Sequence, residues 1–315
     1  MTGAAPDRLI THLRHVDLAV PDFGRQLAFY QDLWGLEPVA SDTGLAFLAA
    51  VGSPEQYVVR LREATEKRVD LVSFGAASAE DVDALAERLG RAGVRLVTEP
   101  GKVDLPGGGY GFRFFDPDGR VIEVSADVAP REHRKVEAGE SVPVRLSHCV
   151  INSPDPDALV SWYEQHLDFR LSDTLAIPHA GALMHFMRCN PQHHSFAIAR
   201  GKHASLHHVS FEMRGLDEFM RGTGRLLRAG AQLMWGPGRH LAGDNTFSYF
   251  VDPSANVMEY TTEMELLDED AWHPAVHDLT DPSVQDQWGT ANSVEDMMAK
   301  SPADTADPVF VAPPV

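Results

Sequence analysis

HVDLAVPDFGRQLAFYQDLWGL (residues 15–36) lies over HCVINSPDPDALVSWYEQHLDF (residues 148–169) at one constant offset. His15 falls on His148, Pro21 on Pro154, Asp22 on Asp155 and Tyr30 on Tyr163. Two further blocks repeat in the same order. LGRAGVRLVTEPG (89–101) covers LLRAGAQLMWGPG (226–238), and DPDGRVIE (116–123) covers DPSANVME (252–259). Self-similarity of this extent means two copies of one folding unit. In each copy an alternating apolar strand (15–20; 148–151) runs into Pro-Asp, a signal for a helix N-terminus. Leu27, Tyr30 and Leu33, and then Leu159, Trp162 and Tyr163, follow at helical spacing. β-branched and aromatic runs such as 57–61 come next. Strand (68–74), helix (79–93) and a last set of strands ending at Glu123 then complete the copy. Each copy therefore reads as two β-α-β-β-β modules with antiparallel or mixed strands, because short turns join most of them. The expected fold class is α+β. Two homologous domains, 1–135 and 141–265, precede an acidic, proline-rich C-terminal extension over 266–315.

Composition narrows the function. The 315 residues are 43% hydrophobic and 23% charged, with two cysteines and a formal net charge of −19. Such a chain can bury two cores and is neither disordered nor disulfide-stapled. Cys149 and Cys189 make no disulfide framework, which points to a reducing, cytoplasmic compartment. No signal peptide is recognisable, and no apolar run approaches the ~20 residues of a membrane span, so no membrane partner is expected. The acidity excludes nucleic acid, whose phosphates need clustered Lys and Arg. Much of the charge is terminal: from 263 to 315, twelve Asp and Glu face one Lys. This stretch reads as a solvated extension, with Trp272, Trp288 and Phe310 available to pin it to the body or to a second subunit.

Ten of the fifteen histidines fall between 141 and 262. His148 on the first strand of the second copy, His208 in LHHVSFE (206–212) and Glu259 on its last strand form a candidate metal-binding set. Two imidazoles and one carboxylate leave coordination positions open, as a non-haem Fe(II) site requires; Mn(II) suits the same donors. A single strand histidine is more often packed or solvated than a ligand. The repeat changes that judgement. The first copy keeps His15 and Glu123, but DLVSFG (70–75) puts Leu71 where the second copy has His208. Only the second copy completes the set.

LSHCV (146–150), NPQHHSFAI (190–198), LHHVSFE, GPGRH (236–240) and FSYFVDPSANVMEY (247–260) occur in order. Together they make the chain, over roughly 11–290, resemble the type I extradiol ring-cleavage dioxygenases of the vicinal oxygen chelate superfamily. The resemblance implies that fold, a vestigial N-terminal site, and ferrous iron on His148, His208 and Glu259. It implies His194 as the acid–base residue, and His240 and Tyr249 as hydrogen-bond partners of substrate and oxygen. The implied activity inserts both atoms of O2 into a catechol with meta cleavage to a 2-hydroxymuconic-semialdehyde-type product, in aromatic catabolism. Homo-oligomers are common in that family. Relatives acting on acidic catechols can carry Arg just before the GPGRH motif; here it is Trp235. With apolar Val150, two residues after the first ligand, Trp235 suggests a pocket for an uncharged aryl- or alkyl-substituted catechol. His193 and His207 are expected on the opposite faces from their neighbours, as packing or surface residues. The run 241–245 departs from the family's polar residues. Two rivals stand beside this reading. One is a glyoxalase-like isomerase or lyase, which generally takes a fourth protein ligand. The other is a binding protein for a hydrophobic ligand, which leaves the histidines without a role.

Overall fold

The structure, a computed structural model, describes residues 8–291. The first copy comprises β1 (Ile10–Val20), α1 (Phe23–Ala28), a π-helical turn (Phe29–Trp34), β2 (Glu37–Asp42), β3 (Leu45–Ala49) and β4 (Val59–Glu63). Its second module is β5 (Arg68–Ala76), α2 (Ala79–Arg91), β6 (Leu96–Lys102), β7 (Tyr110–Phe115) and β8 (Val121–Ala126). The second copy repeats the order: β9 (Pro143–Ser153), α3 (Pro156–Leu167), β10 (Arg170–Ile177), β11 (Gly181–Arg188) and β12 (Phe196–Arg200). Then come β13 (Ser205–Met213), α4 (Leu216–Arg228), β14 (Gln232–Arg239), β15 (Thr246–Val251) and β16 (Val257–Thr262). A last strand β17 (Ala275–Asp278) and a short helix α5 (Pro282–Gln285) follow.

Each copy is one mixed sheet on an α+β plan. The first runs β2-β3-β4-β1-β5-β8-β7-β6; the second runs β14-β15-β16-β13-β9-β12-β11-β10-β17. At each centre the first strands of the two modules pair antiparallel, β1 with β5 and β9 with β13. The two predicted caps behave differently. Asp155 accepts from the Ala158 amide at 3.3 Å, whereas Asp22 sits in the left-handed region (φ 51°) and makes no side-chain cap.

Strand alternation divides the faces. Cys149, Ile151, Met258 and Tyr260 join one large core, while His148 and Glu259 between them point the other way. That core is continuous across the two copies. The repeat also explains two cross-copy hydrogen bonds. Tyr30 OH donates to Asp252 (3.2 Å), and Tyr163 OH, at the equivalent position, donates to Asp116 (3.4 Å). Each copy thus supplies a tyrosine to the Asp-Pro turn of the other.

The C-terminal extension is not simply solvated. Residues 263–291 fold back on the second copy: β17 pairs parallel with β10, and Trp272 Nε1 donates to the Ser172 carbonyl at 2.8 Å. Its charge is partly paired, for Glu269 meets Arg8, Arg170 and Arg188. Trp288 is more exposed, with Arg239 over its ring. Phe310 lies outside the described residues. Both cysteines are buried, and they form no disulfide with each other. No helix among the described residues is long and apolar enough to cross a membrane.

Candidate metal centre

Three adjacent strands bring the donors together. His148 comes from β9, His208 from β13 and Glu259 from β16, and β13 lies between the other two. All three are buried, and their ligand atoms lie within 4.8 Å of one another. The two Nε2 atoms are 3.3 Å apart, and they stand 2.9 Å (His148) and 3.4 Å (His208) from Glu259 Oε2. The far side of each ring is held. His148 Nδ1 lies 3.1 Å from Ser147 Oγ, and His208 Nδ1 lies 2.7 Å from His207 Nδ1. With the hydrogen of each ring on Nδ1, both Nε2 atoms present lone pairs, the state a metal needs. Burial lowers the His208 pKa despite Glu259, which keeps that ring neutral. Burial alone would raise Glu259, but His148 and His208 hold its carboxyl well below the usual range.

The first copy shows what this geometry becomes without a metal. Tyr249 pairs directly opposite Glu259 across β15 and β16, and Arg113 stands opposite Glu123 in the same register of β7 and β8. Arg113 Nε donates to Glu123 Oε2 (2.8 Å), Ser73 Oγ donates to Oε1 (3.0 Å), and His15 Nε2 is 3.4 Å from Oε1. Glu123 is drawn down to about 2: burial opposes, but His15 and Arg113 prevail. Burial likewise opposes the His15 shift, yet Asp17 and Glu123 raise it. In the second copy neither oxygen of Glu259 accepts a hydrogen bond, and the equivalent Ser210 Oγ is also unpartnered. A fully buried carboxylate faced by two imidazoles but no guanidinium is costly. The donor set therefore fits a divalent cation, in the copy that lacks the guanidinium balancing Glu123 in the first.

The surrounding cavity, about 250 Å³, is lined by His148, His194, His208, Trp235, His240 and Tyr249, among others. The ring of His194 packs 4.3 Å from that of His148. Burial, then the neighbouring His148, His193 and His208, push its pKa well below the ordinary value. Tyr57 holds the equivalent position in the first copy, since Val59 and Phe196 pair with Val16 and Cys149 in matching registers. His240 Nδ1 donates to the Gln285 carbonyl (2.9 Å), so its Nε2 accepts from Tyr249 OH (3.0 Å). Burial drives His240 down to about 4, and burial with Glu259 raises Tyr249 well above 10. Trp235 stacks nearly parallel to Tyr249.

Two expectations need revision. Val150 is not among the residues that line the cavity; it packs against three that are, Phe186, Ala199 and Ala242. His207 faces the same cavity as His208. A β-bulge between Leu206 and His208 inserts one residue and breaks the alternation. Sequence reading also missed wall residues. Leu175 and Ile177 on β10, and Met184 and Phe186 on β11, show a two-residue period that would have placed them. Leu279, Val284 and Gln285 come from the folded-back extension, which carries no such period.

A family model of the Glyoxalase/Bleomycin resistance protein/Dioxygenase superfamily matches residues 12–124 and 145–260. The chain is 26% identical to metapyrocatechase 2 of Cupriavidus necator over 91% of each chain. It is also 26% identical to the manganese-dependent 2,3-dihydroxybiphenyl 1,2-dioxygenase of Geobacillus genomosp. 3, covering 84% of this chain and 89% of that one. Among solved structures, the Mn(II)-bound glyoxalase from Novosphingobium aromaticivorans is 43% identical, with a TM-score of 0.89 over 96% of this chain and 97% of that one.

The contrast between the copies is measurable in the metal-free protein. Arg113→Met is expected to cost about 3–5 kcal/mol by leaving Glu123 buried without its guanidinium. Tyr249→Phe, at the matching position, should cost no more than about 1 kcal/mol. Urea unfolding of the two variants compares them directly; equal losses would contradict the assignment of charge balance.

Proposed function

Since this chain belongs to the Glyoxalase/Bleomycin resistance protein/Dioxygenase superfamily, we propose that it is an extradiol dioxygenase: a metal-dependent oxidoreductase that opens catechols by meta cleavage. The observation that carries this reading is the three-donor set. Among the described residues only His148, His208 and Glu259 converge as potential ligands. Three protein donors leave room for a bidentate catechol and O2 together, whereas a fourth protein donor would occupy one of those places. The names of two relatives, a metapyrocatechase and a dihydroxybiphenyl dioxygenase, point the same way. Both Fe(II) and Mn(II) suit one carboxylate and two imidazoles; iron is the proposed metal.

A divalent iron or manganese held by these donors would supply the electronic coupling that lets a closed-shell ring react with triplet O2. The other residues manage protons and position. His194, neutral and beside the metal donors, takes the proton that the catechol gives up on binding and later returns one to the product. Tyr249 and His240 form a donor–acceptor pair in the wall of the same cavity. The net reaction breaks the ring C–C bond next to the diol and places both oxygen atoms in the ring-opened aldehyde acid.

The walls select the substrate. Leu175, Met184, Phe186, Trp235, Leu279 and Val284 line the cavity, and among the described residues no Arg or Lys does. A ring carboxylate would enter without a counter-charge, at a cost of several kcal/mol. The proposed substrate is therefore an uncharged catechol with an apolar substituent. A glyoxalase-like isomerase is the second reading, favoured by the name of the 43% identical structure. It would consume no oxygen.

The test is oxygen uptake by the iron-reconstituted protein with catechol, 3-methylcatechol and 2,3-dihydroxybiphenyl, read with visible absorbance. Stoichiometric uptake and a yellow product are expected. No uptake, with a change in substrate under nitrogen, would favour the isomerase. His194→Phe should retain its metal while turnover falls by roughly 10²–10⁴. A catechol bearing a carboxylate should show kcat/KM lower by on the order of 10²-fold; equal kcat/KM values would refute the account of the walls.

A further inference from the structure

One buried polar chain behind the cavity has no part in the function so far. Asp173 on β10 is buried, and its Oδ2 lies 3.1 Å from His193 Nε2. His193 Nδ1 in turn lies 2.9 Å from His194 Nδ1. We infer that Asp173 and His193 are positioning residues that fix the tautomer and orientation of His194. The inference rests on the proposed acid–base role of His194.

The proton positions follow from what each group can do. A carboxylate only accepts, so His193 Nε2 carries the hydrogen. Asp173 also accepts from the Ala275 amide (2.8 Å) and from His277 Nε2 (2.8 Å). A His193 ring with its one hydrogen on Nε2 presents Nδ1 to His194 as an acceptor. The single proton between the two Nδ1 atoms therefore belongs to His194. Its Nε2 is left bare, the form in which an imidazole takes a proton.

The surroundings hold His193 in place. Its amide donates to the Glu265 carbonyl (2.9 Å), and the Glu265 amide donates to the Gly243 carbonyl (2.9 Å). Gly243 has φ +83°, and a Cβ there would stand 3.0 Å from His193 Nδ1. The loop after His240 thus closes against the ring in a backbone conformation suited to glycine. Trp272 and Phe186 pack on the same imidazole. Trp272 and His277 both come from the folded-back extension, which gives that segment a stake in the acid–base residue.

The test is a double-mutant cycle on the iron-loaded full chain. His193→Phe should leave the metal content unchanged and KM within about twofold, while kcat falls by roughly 10–100-fold, the range for a supporting hydrogen-bond partner. His193→Asn, which offers an oxygen where Nδ1 stands, should restore much of the loss. In a His194→Phe background, His193→Phe should cause no further decrease. An unchanged kcat in His193→Phe, or the same proportional loss with and without His194, would overturn the inference. If His193→Phe loses metal, Asp173→Asn carries the same cycle, with a decrease expected only while His194 is present. A wild-type rate in His194→Phe alone would instead remove the acid–base reading itself.

Discussion

The carboxylate of Glu259 stands on β16, beside the central pair β13 and β9, fully buried and faced by the imidazoles of His148 and His208. Burying such a charge without a full cationic partner is costly. A divalent cation at the point the carboxylate and the two neighbouring imidazoles share would complete the balance. The closed core behind the sheet fixes the three strands on which these residues stand. Without the pairing of β9, β13 and β16, the donors would not share one centre.

The first copy solves the same problem with its own side chains. Arg113 and Ser73 satisfy Glu123, while Tyr57 OH lies 3.0 Å from His15 Nε2. Asp17 pairs with Arg60 at 2.9 Å, where the second copy has the apolar Val150 and Ala197 side by side. The substitutions form one consistent set. A guanidinium replaces a phenol, a phenol replaces an imidazole, a leucine replaces a ligand, and a buried ion pair replaces two apolar residues. One fold therefore holds a self-neutralised charge cluster and an open donor set in matching registers.

Much of this was legible in the sequence because the chain repeats. The offset between copies identified the modules, and the Leu71/His208 difference showed which copy could complete a site. Arg113 was equally visible, ten residues before Glu123 as Tyr249 is before Glu259, and its meaning emerges only when a missing metal is asked to be replaced. His207 was not legible: strand alternation puts it opposite His208, and a bulge has no signature in composition. Leu279, Val284 and Gln285 were hidden for a different reason. Their acidic, irregular segment reads as solvent-facing, and its fold is set by tertiary partners such as Asp173 and the Ser172 carbonyl.

The most direct measurement is equilibrium binding of Fe(II), and separately of Mn(II), to the metal-stripped full chain under nitrogen, with metal and protein quantified after dialysis. The account predicts one ion per chain in the wild type and none in Glu259→Gln, with His15 and Glu123 taking none. A second ion per chain, or full binding by Glu259→Gln, would contradict it.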